Sequence, residues 1–266
     1  MRHLLIAAVA LMALPALAAE GSWPDIRAQL YAERPLRSGE NVIAIDAPYR
    51  TDNDARTVIG VSLVSPPGLN LAAVTLVLDE NPMPVSAVIR LAEPLPRFRF
   101  DATLRINGPT PVHVIAETSD GQLFVAEGFV KTSGQGACAA PPGTDPEKAL
   151  ATLGDMVIGI GSASRAADPI SGLMGDQMDL SLGISHPSHS GMQMDQITLL
   201  FIPMRYVENI GIDLDGKSFA EVTGSISLSE NPELTVSIPA ATRGIDVTMT
   251  DTDGTVAHAS RRLADY

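Results

Sequence analysis

The sequence predicts an all-β protein built as two immunoglobulin-like antiparallel β-sandwich domains, joined by a flexible Gly/Ala/Pro arm and preceded by a short N-terminal helix. Three observations predict it. Apolar and polar residues alternate with period two through both halves of the chain. Turn signals punctuate the alternating runs at the spacing of short strands. Between the halves lies 132–146, where Gly134, Gly136, Pro141, Pro142 and Pro146 interrupt any regular element.

The elements follow in order. Arg2 and His3 ahead of the apolar run 4–14, with Ala16-Leu17-Ala18 after it, read as an export signal over 1–19. That reading places the mature protein in a bacterial periplasm. Ser22-Trp23-Pro24-Asp25 reads as a helix start with Ser22 as cap and Asp25 in the capping-box position. Ile26, Leu30 and Tyr31 form the apolar face of that helix.

In the first sandwich, 20–131, strands fit 58–64, 74–78, 85–91, 98–106, 112–118 and 122–131. Phe98, Phe100, Ala102 and Leu104 alternate there with Arg99, Asp101 and Thr103. Asp120-Gly121 turns its last hairpin. In the second sandwich, 147–266, strands fit 178–184, 234–238 and 245–249, and Asp253-Gly254 turns the last hairpin. Residues 146–153 suit a two-turn helix leading out of the arm. Glu80-Asn81-Pro82 recurs as Glu230-Asn231-Pro232, a slight hint of duplication.

Composition excludes some functions. The 266 residues carry 18 Lys and Arg against 31 Asp and Glu, a net charge of −13. Nucleic-acid binding rests on cations facing phosphates, so that class is excluded. One cysteine, Cys138, cannot form an internal disulfide. It is therefore a buried inert thiol, an intermolecular partner or a site of chemistry. Its neighbours Gly134, Gly136, Ala137 and Ala139 lack bulk and charge, and no His, Lys or Arg lies within five positions. The expectation is a thiol displayed on a supple strip, with a pKa near the free value of ~8.5 and a reach of roughly 20 Å. A second candidate is the run His186, His189, Met192, Met194, Asp195, whose imidazoles and thioethers suit copper; the competing reading is a plain polar loop. Gly159-Ile160-Gly161 lacks the Lys and third glycine of a phosphate loop. No carboxylate spacing singles out an acid–base pair, so no catalytic residue is assigned.

Trp23 to Arg27, Ile45 to Arg50, Leu78 to Pro82 and Phe129 to Gly134 resemble the SoxY family; His186-Pro187 with Gly191, Ser227 to Pro232 and Asp251 to Gly254 resemble SoxZ. The order Y then Z resembles fused SoxYZ-like sulfur carriers of the type found beside quinoprotein dehydrogenases. The resemblance implies a non-enzymatic carrier whose Cys138 holds a sulfur intermediate covalently, with no other cofactor. It implies sulfur-oxidising or redox enzymes as partners, among them a quinoprotein dehydrogenase or c-type cytochrome system. Thiosulfate oxidation is the pathway so implied. Two features depart from the family: the arm is internal, and Gly-Gln-Gly-Ala-Cys-Ala-Ala replaces a denser glycine run. The alternative is a non-catalytic accessory subunit for an exported dehydrogenase.

Overall fold

The structure, a computed structural model, describes residues 21–134, 136–162 and 177–263. The expected signal segment lies outside them. The first half comprises α1 (Trp23–Tyr31), β1 (Leu36–Ser38), β2 (Ile43–Asp46), β3 (Thr57–Val64), β4 (Leu71–Leu78), β5 (Val85–Leu95), β6 (Arg97–Leu104), β7 (Thr110–Thr118) and β8 (Leu123–Val130). The second comprises α2 (Pro146–Ala151), β9 (Met156–Ser162), β10 (Gln177–Ile184), β11 (Val207–Leu214), β12 (Lys217–Thr223), β13 (Glu233–Pro239), β14 (Gly244–Asp251) and β15 (Val256–Arg262). The all-β, immunoglobulin-like sandwich is what the alternation predicts.

The sequence leaves open whether the two bodies joined by the arm also dock on each other, and the structure shows that they do. Both sheets run through the whole molecule. One has the order β1-β8-β7-β4-β5-β12-β11-β14-β15 and the other β2-β3-β6-β13-β10-β9. At the junctions Val222 pairs with Ile89, and Val236 pairs with Phe100, both antiparallel. Each half thus covers two edge strands of the other, which removes edges open to unwanted pairing. A single core results, in which Phe98, Phe100 and Ile89 pack with Leu180, Val222 and Val236. Full burial of each such side chain stabilises by about 1.5–3 kcal/mol. Arg99 of β6 and Asp179 of β10 form an ion pair across the same junction.

About this junction the strand order is repeated: β2, β3 and β6 answer to β9, β10 and β13, and β8, β7, β4 and β5 to β15, β14, β11 and β12. Asp120-Gly121 and Asp253-Gly254 occupy equivalent hairpins, with Gly121 and Gly254 at φ 82° and 83°. The two Glu-Asn-Pro tripeptides do not correspond, since one joins β4 to β5 and the other β12 to β13.

Local details correct two expectations at α1. Ser22 makes no side-chain cap; its hydroxyl binds the Glu80 carboxylate at 3.1 Å and ties the helix to the sheet. Leu30 faces solvent, whereas Tyr31 is buried. Trp23 stacks on His113 at 3.8 Å between ring centroids, and His113 Nδ1 lies 2.9 Å from Asp79 Oδ1. The aromatic thus anchors the helix. Gly159 and Gly161 lie within β9, an ordinary strand. No helix among the described residues is long and apolar enough to cross a membrane.

Candidate functional site

The site lies where the end of β6 meets the loop before β13. Asn81, buried in the β4–β5 turn, organises it. Its amide donates to the Arg105 carbonyl at 2.8 Å and to the Ser227 hydroxyl at 2.9 Å, and its oxygen accepts from Asn107 N–H at 2.9 Å. A buried amide stays in place when its donors and acceptors are met in this way. The same contacts fix residues 105–107 against the second half. Arg105, itself buried, donates from one terminal nitrogen to the carbonyls of Ser188 (2.6 Å), Leu228 (2.7 Å) and Ile226 (3.3 Å). Burial lowers its pKa.

Cys138 sits against this frame. Residues 137–139 form one 3₁₀ turn, entered through Gly136 at φ 72°, where a side chain would be strained. Asn107 Oδ1 accepts from the Cys138 N–H at 3.4 Å. The Ser190 hydroxyl donates to the Cys138 carbonyl, and Gln193 Nε2 donates to the Ala140 carbonyl at 3.0 Å. Upstream, Ser133 N–H and hydroxyl bind the Asp54 carboxylate at 3.0 and 2.5 Å. Downstream, the Glu230 carboxylate accepts from Gly143 and Thr144 N–H groups, each at 2.8 Å.

The cysteine expectation is therefore corrected. Cys138 has 0% exposure and Ala137 is buried with it, while Ala139 and Gly134 remain exposed. The thiol pKa is not near the free value: burial pushes it up to about 11, against a smaller opposing pull from the Arg105 charge. A protonated, desolvated sulfur is a poor nucleophile. A cavity of about 300 Å³ opens beside the segment, lined by Arg105, Ala137, Ala140, Gln193, Arg56 and Glu230, but Cys138 does not line it.

The second candidate cluster proves to be the other wall of the same site. His186 is buried with both ring nitrogens engaged: Nδ1 accepts from Ser188 N–H at 2.9 Å and Nε2 lies 3.3 Å from Asp251 Oδ2. Burial lowers its pKa to about 4, partly offset by Asp251. A ring so held has no lone pair for a metal, which removes His186 from the copper set. His189 Nδ1 lies 3.2 Å from Gln193 Oε1, Met192 is half-buried and Met194 is exposed. Among the described residues no group of three or more His, Cys, Asp or Glu is placed to hold a metal ion. Asp251 also binds Arg205 Nε at 2.8 Å, so the expected hairpin turn carries a structural ion pair. Asn81, Arg105, Asn107, Ser190, Gln193 and Glu230 escaped the sequence reading as site residues. Ser190 and Gln193 lie inside the flagged His/Met run, which was the available signal.

Family comparison bears on this geometry. The model for "Sulfur oxidation protein SoxY" matches residues 27–138, and that for "Sulphur oxidation protein SoxZ" matches 169–262. The chain joins a SoxY domain to a SoxZ domain. The SoxY match ends on Cys138, the residue clasped between the two halves. Among solved structures, the sulfur carrier protein SoxY from Chlorobium limicola f thiosulfatophilum is 21% identical, over 42% of this chain and 96% of that one, with a TM-score of 0.36. A superoxide reductase (neelaredoxin) from Ignicoccus hospitalis is 16% identical, over 41% of this chain and 92% of that one, with a TM-score of 0.29. No curated protein sequence shows significant similarity.

Proposed function

We propose that this SoxYZ fusion is a periplasmic, non-enzymatic carrier that holds a sulfur intermediate covalently on Cys138 and presents it to partner enzymes. The observation that carries the reading is the SoxY match ending on the chain's lone cysteine. The site adds a condition. The thiol is stowed, so loading requires the Ser190 and Gln193 contacts to open and the sulfur to reach water. Exposure returns its pKa toward ~8.5, and the thiolate then forms at neutral pH in useful amounts.

In loading, the thiolate joins a sulfur anion such as thiosulfate through a new S–S bond, with loss of two electrons. A c-type cytochrome or quinoprotein system in the partner accepts those electrons.

Burial of Cys138 also favours a second reading, an accessory subunit of an exported dehydrogenase in which the thiol is inert. Intact-mass analysis of protein from its native periplasm separates the two. An adduct on Cys138, absent from Cys138→Ser, is the expected result. An unmodified thiol, with a partner complex that survives Cys138→Ser, would overturn the carrier reading.

A further inference from the structure

The loop that clasps Cys138 ends in an apolar knob. Residues 189–205 form an irregular hairpin, closed by bridges His189–Arg205 and Met194–Phe201. Its tip is built, not loose. Asp195 Oδ1 accepts from the N–H groups of Ile197 (3.0 Å) and Thr198 (2.6 Å) and from the Thr198 hydroxyl (2.8 Å). Asp195 N–H and Leu199 N–H close the turn onto the Leu200 and Asp195 carbonyls, each at 2.9 Å. This rigid turn holds Ile197 at 92% exposure, Leu199, Leu200 and Phe201 at 67–69% and Met204 at 51%. Leu199 takes φ 58°, a conformation that Asn or Gly would adopt more easily. Contiguous exposed apolar surface of this kind marks an interaction site, because water penalises it otherwise.

Its stem is continuous with the clasp. Gln193 accepts the Ile202 N–H on its backbone carbonyl at 2.8 Å, while its side chain holds Ala140 at 3.0 Å. Ser190, on the same stem, holds Cys138.

We infer that the Ile197–Met204 knob is the docking site for the enzyme that works on Cys138, and that this enzyme offers an apolar socket bordered by Lys and Arg. The inference rests on the carrier reading and adds where the partner binds. Charge selects the occupant. Residues 186–204 contain one charged side chain, Asp195, and no Lys or Arg. The first cation, Arg205, is already engaged by Asp251. A second copy of this chain brings a further −13 and is repelled, whereas a cation-rimmed partner is attracted. A protein seated on the knob lies against the stem that keeps the cysteine stowed.

The test uses the full chain in its producing bacterium. Adduct on Cys138 is read by intact mass for wild type and for the double variant Leu200→Ser/Phe201→Ser, whose side chains are exposed and support no core. In parallel, the photo-crosslinking residue p-benzoylphenylalanine replaces Phe201, or Tyr49 as an exposed control. The expected results are at least a tenfold loss of adduct in the double variant, and a crosslink from position 201 to an apolar patch with Lys or Arg at its border. A double variant loaded as wild type overturns the docking site while the carrier reading stands. A crosslink from position 201 only within this chain or to a second copy overturns the choice of occupant. A wild type with no adduct overturns the carrier reading itself, and the inference falls with it.

Discussion

The rate at which Cys138 reacts with iodoacetamide should rise with pH well beyond the point where an exposed cysteine levels off. Alkylation needs thiolate, and an exposed thiol is largely ionised about one pH unit above its ordinary pKa of ~8.5. The buried thiol holds its proton to about 11. The sign follows from linkage: the stowed state binds the proton more tightly than the open state, so the proton's contribution to stowage is full below the free thiol's pKa and is lost as pH rises toward 11, the stowed form still predominating. With opening faster than alkylation, each pH unit in that window still gains about tenfold in rate. Ser190→Ala removes the hydroxyl that satisfies the Cys138 carbonyl. One buried hydrogen bond contributes about 1–1.5 kcal/mol, so the variant should alkylate about tenfold faster at every pH, without a change of slope. Pulse alkylation from pH 7.5 to 10.5, read by mass, measures both. A plateau at the ordinary thiol pKa, or a Ser190→Ala rate within twofold of wild type, would refute the stowed thiol.

Asn81→Ala should lower the free energy of urea unfolding by about 2–3 kcal/mol, because it strands a buried carbonyl and a partly buried N–H group. A loss under 1 kcal/mol would mean that Asn81 does not organise the junction. Stability should also fall in acid through His186. Its folded pKa of about 4 lies below the ordinary 6.5, so the unfolded chain takes up the proton first as pH drops. That contribution is full above 6.5 and lost toward 4, at about 3 kcal/mol for a depression of this size. Urea titrations at pH 7 and 4.5 check it, and His186→Gln should flatten the difference.

Much of the fold was legible because alternation depends only on which face each side chain takes. Phe98, Phe100 and Leu104 mark β6 without knowledge of its neighbours. What alternation does not encode is the partner strand. Val88 to Arg90 pair with both β4 and β12, and nothing in their pattern says that the second neighbour is some 130 residues away. The cysteine was legible as a singular residue but not as a buried one. Its packing surroundings come from 105–107 and 188–193, so the local run of Gly and Ala shows no apolar period. Small residues there allow close approach, a role that looks identical to flexibility when only the sequence is read. The long β10–β11 connection, which forms the clasp, has a short counterpart between β3 and β4. The half that resembles SoxZ thus supplies Ser190 and Gln193, and the half that resembles SoxY supplies Asn107, to the clasp on the thiol.

Fusion also fixes how far the cysteine travels. Asp54 holds Ser133 on one side and Glu230 holds Gly143 on the other, five residues from Cys138 in each direction. At about 3.3–3.6 Å per residue the backbone of Cys138 extends at most about 18 Å from either anchor, and less when both hold. On the carrier reading, a partner's reaction centre then lies near its surface, close to where it docks. The bonds that keep the thiol stowed, from Asn107, Ser190 and Gln193, all lie between the anchors. Opening for a small reagent therefore leaves the anchors intact. Glu230→Ala should change iodoacetamide alkylation by less than about threefold, although two charge-assisted bonds worth about 1.5–3 kcal/mol each are lost. A tenfold or greater rise would show that the segment peels away as far as Gly143, and the short-reach argument would then be wrong. The same variant lengthens the loop on one side, so a partner with a recessed centre should load Glu230→Ala better than wild type, and one with a shallow centre should load both alike.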